Sequence, residues 1–122
     1  MTGDELFFFN DMPGIIPLYD ALAQFICQRF PDVSVKVQKS QITFKARYGF
    51  AFVSLRRMKG CPETFLIFSL GLPSRLDSPR VAVATEPYPG RWTTHFILSG
   101  PEQLDEELKG WIETAYTFAQ RK

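Results

Sequence analysis

With 122 residues, 45% hydrophobic and 22% charged, the chain is too apolar for intrinsic disorder, and its length suits one domain with one core. A net charge of +1 argues against a uniformly basic nucleic-acid binder, yet it hides a segregation. Between Val33 and His95 ten Lys and Arg face three acids, a balance of +7, while the flanks carry ten acids and four bases, a balance of −6.

Met1-Thr2-Gly3-Asp4-Glu5 is acidic where a signal peptide would be basic, and no apolar run approaches the ~20 residues that span a bilayer. A cytoplasmic protein without membrane contact is expected. Thr2 and Glu5 have the spacing of a capping box, which predicts a short helix through Leu6 to Phe9, although a strand reads nearly as well there. Asn10 to Gly14 breaks the chain. From Ile15 to Phe30 the positions Ile15, Leu18, Tyr19, Leu22, Phe25, Ile26 and Phe30 recur at helical spacing, with Pro17 early enough for the first turn.

After Asp32 the period becomes two: Val33, Val35 and Val37 alternate with polar residues, then Ile42 and Phe44 with Thr43 and Lys45. Phe50 to Leu55 and Phe65 to Leu72 are apolar on both faces and read as central strands. Arg80 to Thr85 and Trp92 to Leu98 are two further strands, joined across Pro87-Tyr88-Pro89-Gly90. Ser99 and Glu102 have capping-box spacing with Pro101 between them, which predicts a closing helix whose buried face is Leu104, Leu108, Trp111, Ala115 and Phe118.

The fold class is therefore α+β: an antiparallel sheet of about five or six strands packed by N-terminal and C-terminal helices, filling residues 1–122 as a single domain. Two helices leave the second face of the central strands without cover. The Leu6 to Phe9 segment, strong sheet curvature, a second subunit or a ligand are the candidates.

No phosphate loop or catalytic motif is present, and Cys27 and Cys61 lack zinc-ligand spacing, so no metal or cofactor is implied. His95 is the sole histidine. Alternation puts it on one face of its strand with Thr93 and Ile97, opposite Trp92, Thr94, Phe96 and Leu98, without a visible nucleophile. Cys61 lies in a turn near Arg56, Arg57 and Lys59, though exposed loop cysteines near bases are common and ordinarily inert. The acids Asp105, Glu106, Glu107 and Glu113 read as a solvated helix face, and Asp77 and Glu86 as ion-pair partners of Arg75, Arg80 or Arg91.

The most distinctive segment, Pro87 to His95, offers Tyr88, Arg91, Trp92 and His95 in quick succession, a composition suited to a planar or anionic group. A rigid hairpin with Trp92 in the core accounts for it equally well. With Arg56, Arg57 and Arg75 as supporting charge, these residues define the expected ligand-binding set on the basic stretch from Lys36 to Arg91. The expected function is a non-enzymatic binding module for an anionic small molecule or nucleic acid. A protein-interaction or homodimerisation module is the alternative, and an enzyme using His95 the third reading.

Asp32-Val33 with Ile42 and Phe44, Phe50-Ala51-Phe52-Val53, Leu72-Pro73 followed by Arg75-Leu76-Asp77-Ser78-Pro79-Arg80-Val81, and Pro89-Gly90-Arg91-Trp92-Thr93 with His95 carry a family resemblance. From about Leu18 to Tyr116 the chain resembles an uncharacterised bacterial domain family catalogued as a domain of unknown function. The resemblance implies a small α+β domain; some members are labelled predicted transport proteins and some are appended to nuclease-like domains. Many carry a second His directly before the one matching His95, where this chain has Thr94. The resemblance supplies no catalytic residue.

Overall fold

The computed structural model describes residues 1–121. Helix α1 (Gly3–Phe8) begins at the predicted capping box: the Thr2 hydroxyl accepts the Glu5 amide at 3.2 Å and the Glu5 carboxylate accepts the Thr2 amide at 2.8 Å. Two amides that a helix start leaves bare are thereby satisfied. Glu5 is buried and its carboxylate also accepts the Tyr19 hydroxyl. Burial pushes this carboxyl up, but the hydrogen bonds from Tyr19 and Thr2 outweigh it and hold the group below its ordinary range. Phe9 closes α1 and packs on Tyr19, which packs in turn on Phe44. The N-terminal segment thus joins the helical layer and does not cover the second face of the sheet.

A 3-10 turn (Pro13–Ile15) leads into α2 (Ile16–Arg29), where Pro17 falls in the first turn and costs no hydrogen bond. Leu18, Tyr19, Leu22 and Ile26 are buried at the predicted spacing. Phe25 stands at the margin of that stripe, half-buried, with the Lys109 ammonium 5.4 Å from its ring centroid.

Six strands follow: β1 (Ser34–Val37), β2 (Ile42–Lys45), β3 (Gly49–Ser54), β4 (Leu66–Leu72), β5 (Val83–Tyr88) and β6 (Arg91–Leu98). They form one sheet in the order β1-β2-β3-β4-β6-β5, antiparallel throughout. The first four strands lie side by side in chain order. The chain then crosses to the far edge, lays down β5 and returns as β6 between β5 and β4.

Strand β5 starts at Val83, not at Arg80 as its sequence suggests. Arg80 stays in the preceding connection because its guanidinium donates to Asp105 at 2.8 and 3.0 Å, to Glu107 at 3.0 Å and to the Gln103 carbonyl at 2.8 Å. Those ion pairs also replace the expected pairing of Arg80 with Asp77 or Glu86.

The closing helix also starts later than Ser99 and Glu102 suggest. Gln103 accepts the amides of Ser99 and Gly100 at 2.6 and 3.1 Å, which stabilises a 3-10 turn (Pro101–Gln103). Asp105 then caps α3 (Glu106–Gln120) by accepting the Leu108 amide at 3.0 Å. The fully buried stripe is Leu108, Ile112, Ala115 and Ala119, rotated from the predicted one; Trp111 flanks it, half-buried, stacked on Phe96 at 5.4 Å. No helix among the described residues is long and apolar enough to cross a membrane.

The core lies between the helices and one sheet face, where Ile42, Phe44, Ala51, Val53, Leu66, Phe68, Leu70, Leu72, Phe96 and Leu98 are all buried. Phe50 joins them through a bulge. Phe44 pairs with Ala51 but Lys45 pairs with Gly49, so Phe50 is the extra residue and turns inward onto Phe30 and Tyr116.

Candidate functional site on the open face of the sheet

Because successive strand residues point to opposite faces, the register that builds the core also aligns a second set of side chains. Lys36, Thr43, Phe52, Ser69, His95 and Val83 are successive cross-strand partners from β1 to β5, one line across all six strands on the face away from the helices. Part of the cover this face was expected to need comes from the chain itself. Phe65 and Ile67 are buried, at 1% and 3% exposure, without belonging to the main core.

Their cover is the β3–β4 connection. Arg57 donates to the carbonyls of Cys61 and Pro62 at 3.1 Å and of Glu63 at 3.5 Å, and its guanidinium carbon lies 4.7 Å from the Phe65 ring centroid. The Met58 amide donates to the Cys61 sulfur at 3.2 Å. One arginine therefore braces the connection against the sheet and spends most of its donors doing so.

Beside this wall the face dips into a concavity of about 530 Å³, floored by Phe52, Ile67 and Ser69 and bordered by Met58, Arg56 and His95. No Asp or Glu lines it. The His95 ring is held by a 2.6 Å hydrogen bond between Nδ1 and the Ser69 hydroxyl. Burial pushes the imidazole below its ordinary value, so the ring is neutral at neutral pH. If Ser69 donates to Nδ1, the Nε2–H is left as a donor; if the Nδ1–H donates to Ser69, the hydroxyl hydrogen is left as one, so the pair offers an uncharged donor in either tautomer. No carboxylate orients the ring from behind within the concavity, so the arrangement of a catalytic triad is absent there.

The expected binding set divides among three places. His95, Arg56 and Arg57 meet at the concavity. Trp92 lies on the other face of β6, half-buried, with the Arg75 guanidinium carbon 5.9 Å from its ring centroid. Tyr88 and Arg91 oppose each other across the Pro89-Gly90 turn at the exposed hairpin tip, where Gly90 takes φ +72° as the third residue of such a turn requires. Four residues of extended chain separate Arg91 from His95, about 13 Å. Residues adjacent in sequence are thus distributed over both faces and the length of a strand.

The same alternation bears on Thr94. It is fully buried on the helix-facing side, where its hydroxyl has no hydrogen-bond partner. A histidine in its place would point away from His95, so two consecutive histidines here would not share a site. Glu86 accepts the Gly90 amide at 3.1 Å. Among the described residues the ion pairs are Arg29 with Glu113 at 2.6 Å, Arg80 with Asp105 and Glu107, and Lys109 with Glu106, all made with acids of α3 or its N-cap. Cys27 is half-buried, and burial pushes its thiol up, consistent with a small apolar filler.

Sequence reasoning did not single out Ser69, Phe52 or Met58. Ser69 carried a signal, as the sole polar side chain inside the apolar run Phe65 to Leu72. The others carried none, because Phe52 is one of twelve Phe residues and reads as core.

No curated protein and no solved structure matches the chain. A family model does: that of DUF5655, a domain of unknown function, matches residues 8–119. The matched stretch runs from the last turn of α1 through all six strands to the end of α3, and it contains every residue of the concavity. The chain belongs to the DUF5655 family.

Proposed function

We propose that the protein is a binding module that takes a small anionic ligand on the open face of its sheet. The observation that supports this reading best is the concavity itself: an apolar floor, hydroxyl and imidazole donors, arginine at the rim and no carboxylate. Its volume falls in the range of about 300–1,000 Å³ typical of small-molecule sites. The Ser69–His95 pair positions a donor; without an orienting carboxylate it is a weak basis for nucleophilic chemistry.

The distribution of charge disfavours nucleic acid. A polynucleotide is held by a track of cations that neutralise successive phosphates. Here Arg57 is committed to its own loop, Arg80 to α3, Arg75 to Trp92, and Arg91 stands alone at a hairpin tip. Four of the ten basic residues behind the +7 excess are thereby set apart from one another and form no track.

Amide chemical-shift mapping tests the reading. Titration with a panel of small carboxylates and phosphates is expected to move Phe52, Arg56, Ser69 and His95 together, while short DNA and RNA leave them in place. Shifts at Tyr88 to Arg91 with oligonucleotides, abolished steeply by salt, would replace this reading with a nucleic-acid one. If no small anion moves the open face, the reading fails.

A further inference from the structure

We infer that the ligand of this face is a monoanion on a flat apolar body, an aromatic carboxylate in class, with Arg56 as its counter-charge and Phe52 as its floor. The inference rests on the proposed anion site and narrows it by counting the charge available there.

Two arginines line the concavity, but they differ in what they are free to do. Arg57 is held by three backbone carbonyls and the Phe65 ring. Arg56 is exposed and, among the described residues, makes no hydrogen bond, ion pair or ring contact. The other cations of the region are not among the lining residues: Lys59 borders a separate hollow with Arg80, Lys39 one beside α1, Lys36 sits two strands from Phe52 along the cross-strand line, Lys45 lies at the end of β2 away from Gln41, and Arg47 lies beside the Tyr48 ring. The Ser69–His95 pair adds a donor without a charge. Arg57 keeps its positive charge, but most of its donors are spent on the three backbone carbonyls, so one guanidinium is free to close on a ligand and a single carboxylate matches it.

A phosphate ester, with two charges, is normally met by several cations, a helix N-terminus or a nest of backbone amides. The open face presents none of these, since all three helices pack on the other side and the strand amides here are used in the ladder. A guanidinium fork suits a carboxylate, and His95 with Ser69 and Ser54 can orient it. The floor favours a flat body. The Phe52 ring occupies space that a side chain at Gly49 would fill, because a Cβ there would come within 3.1 Å of it, so the ring lies low over the strands. Ile67 extends this apolar surface.

Calorimetric titration at pH 7 of the wild type and Arg56→Gln with 2-naphthoate, 2-naphthyl phosphate and naphthalene-2-carboxamide tests the inference. The naphthoate is expected to bind, the neutral amide to bind about tenfold more weakly or worse, and Arg56→Gln to weaken the naphthoate by about tenfold or more. The phosphate ester should bind no tighter than the carboxylate. Arg56 is exposed, so its replacement leaves the fold intact, as a circular dichroism spectrum would verify. A phosphate ester tighter by tenfold would overturn the monoanion while leaving the anion site standing. An amide as tight as the acid, or an Arg56→Gln protein that binds undiminished, would overturn the role of charge at Arg56. If none of the three binds, the inference falls; the anion site falls with it only if the panel of small carboxylates and phosphates also leaves the open face unmoved.

Discussion

The two faces of this sheet are made by the same strands on alternate residues, yet they obey different rules. The face toward the helices is a closed aromatic and aliphatic layer, with Phe44, Phe50, Phe68 and Phe96 each at 1% exposure or less. The other combines half-buried Phe52 with Ser69, Thr43 and His95, and borrows its cover from a loop braced by one arginine. The comparison teaches that an apolar strand does not by itself mean two equal cores: one face carries stability, with the unpaired Thr94 hydroxyl as its polar exception, and the other gathers Thr43, Ser69 and His95.

The largest expected effect tests that division directly. Phe68→Ala should lower stability by about 3–5 kcal/mol, the range for a fully buried aromatic, whereas Phe52→Ala should cost well under half as much. Urea denaturation of both variants measures it. Equal losses would mean that the open face is a second core, covered in solution by something more than the loop.

A smaller effect follows from His95. Its folded-state pKa lies below its value in the unfolded chain, so between those two values the unfolded chain binds the proton more readily. Stability contributed by the neutral ring is present above the unfolded value and is lost as pH falls from there through the folded value. From pH 7 to pH 5 the wild type should therefore lose more stability than His95→Gln, and an NMR titration of the imidazole should give a midpoint below 6.5. A midpoint above 6.5 would place a negative charge beside the ring and break the picture of an acid-free face.

The smallest effect concerns Gly49, where an added Cβ would meet the Phe52 ring and the Thr43 methyl, each at 3.1 Å. On the helix side such a clash would meet packed neighbours, but here the ring can swing toward solvent. Gly49→Ala should cost no more than about 1 kcal/mol, and it should displace the Phe52 ring resonances. A cost above about 2 kcal/mol would show that Phe52 is clamped.

How much of this was legible depended on how local each cause is. The capping box of Thr2 and Glu5 is read within four residues and holds as predicted. The facing of His95 follows from strict alternation along β6, and the buried Thr94, Phe96 and Leu98 agree with it. What alternation could not supply is where it breaks. The bulge that turns Phe50 inward depends on its pairing with β2, and the late start of β5 depends on acids at the head of α3, far along the chain. The candidate site suffered in the same way. Arg56 and Arg57 look equivalent as neighbours in the sequence, and only the carbonyls of Cys61, Pro62 and Glu63 separate a brace from a free charge. Ser69 meets His95 across 26 positions of chain, a distance at which residue patterns carry no information about contact.

The strand order has a consequence for how the protein is made. β4 is buried on both sides and pairs with β3 on one edge, but its other edge is taken by β6, which is synthesised after β5 and a long connection. A nascent chain that has reached Tyr88 therefore carries an apolar strand with a bare hydrogen-bonding edge, and a β5 whose only neighbour does not yet exist. Such an edge is the feature that invites pairing with another chain. Between emergence of β4 and of Leu98 the nascent chain thus exposes an apolar strand edge that only β6 closes.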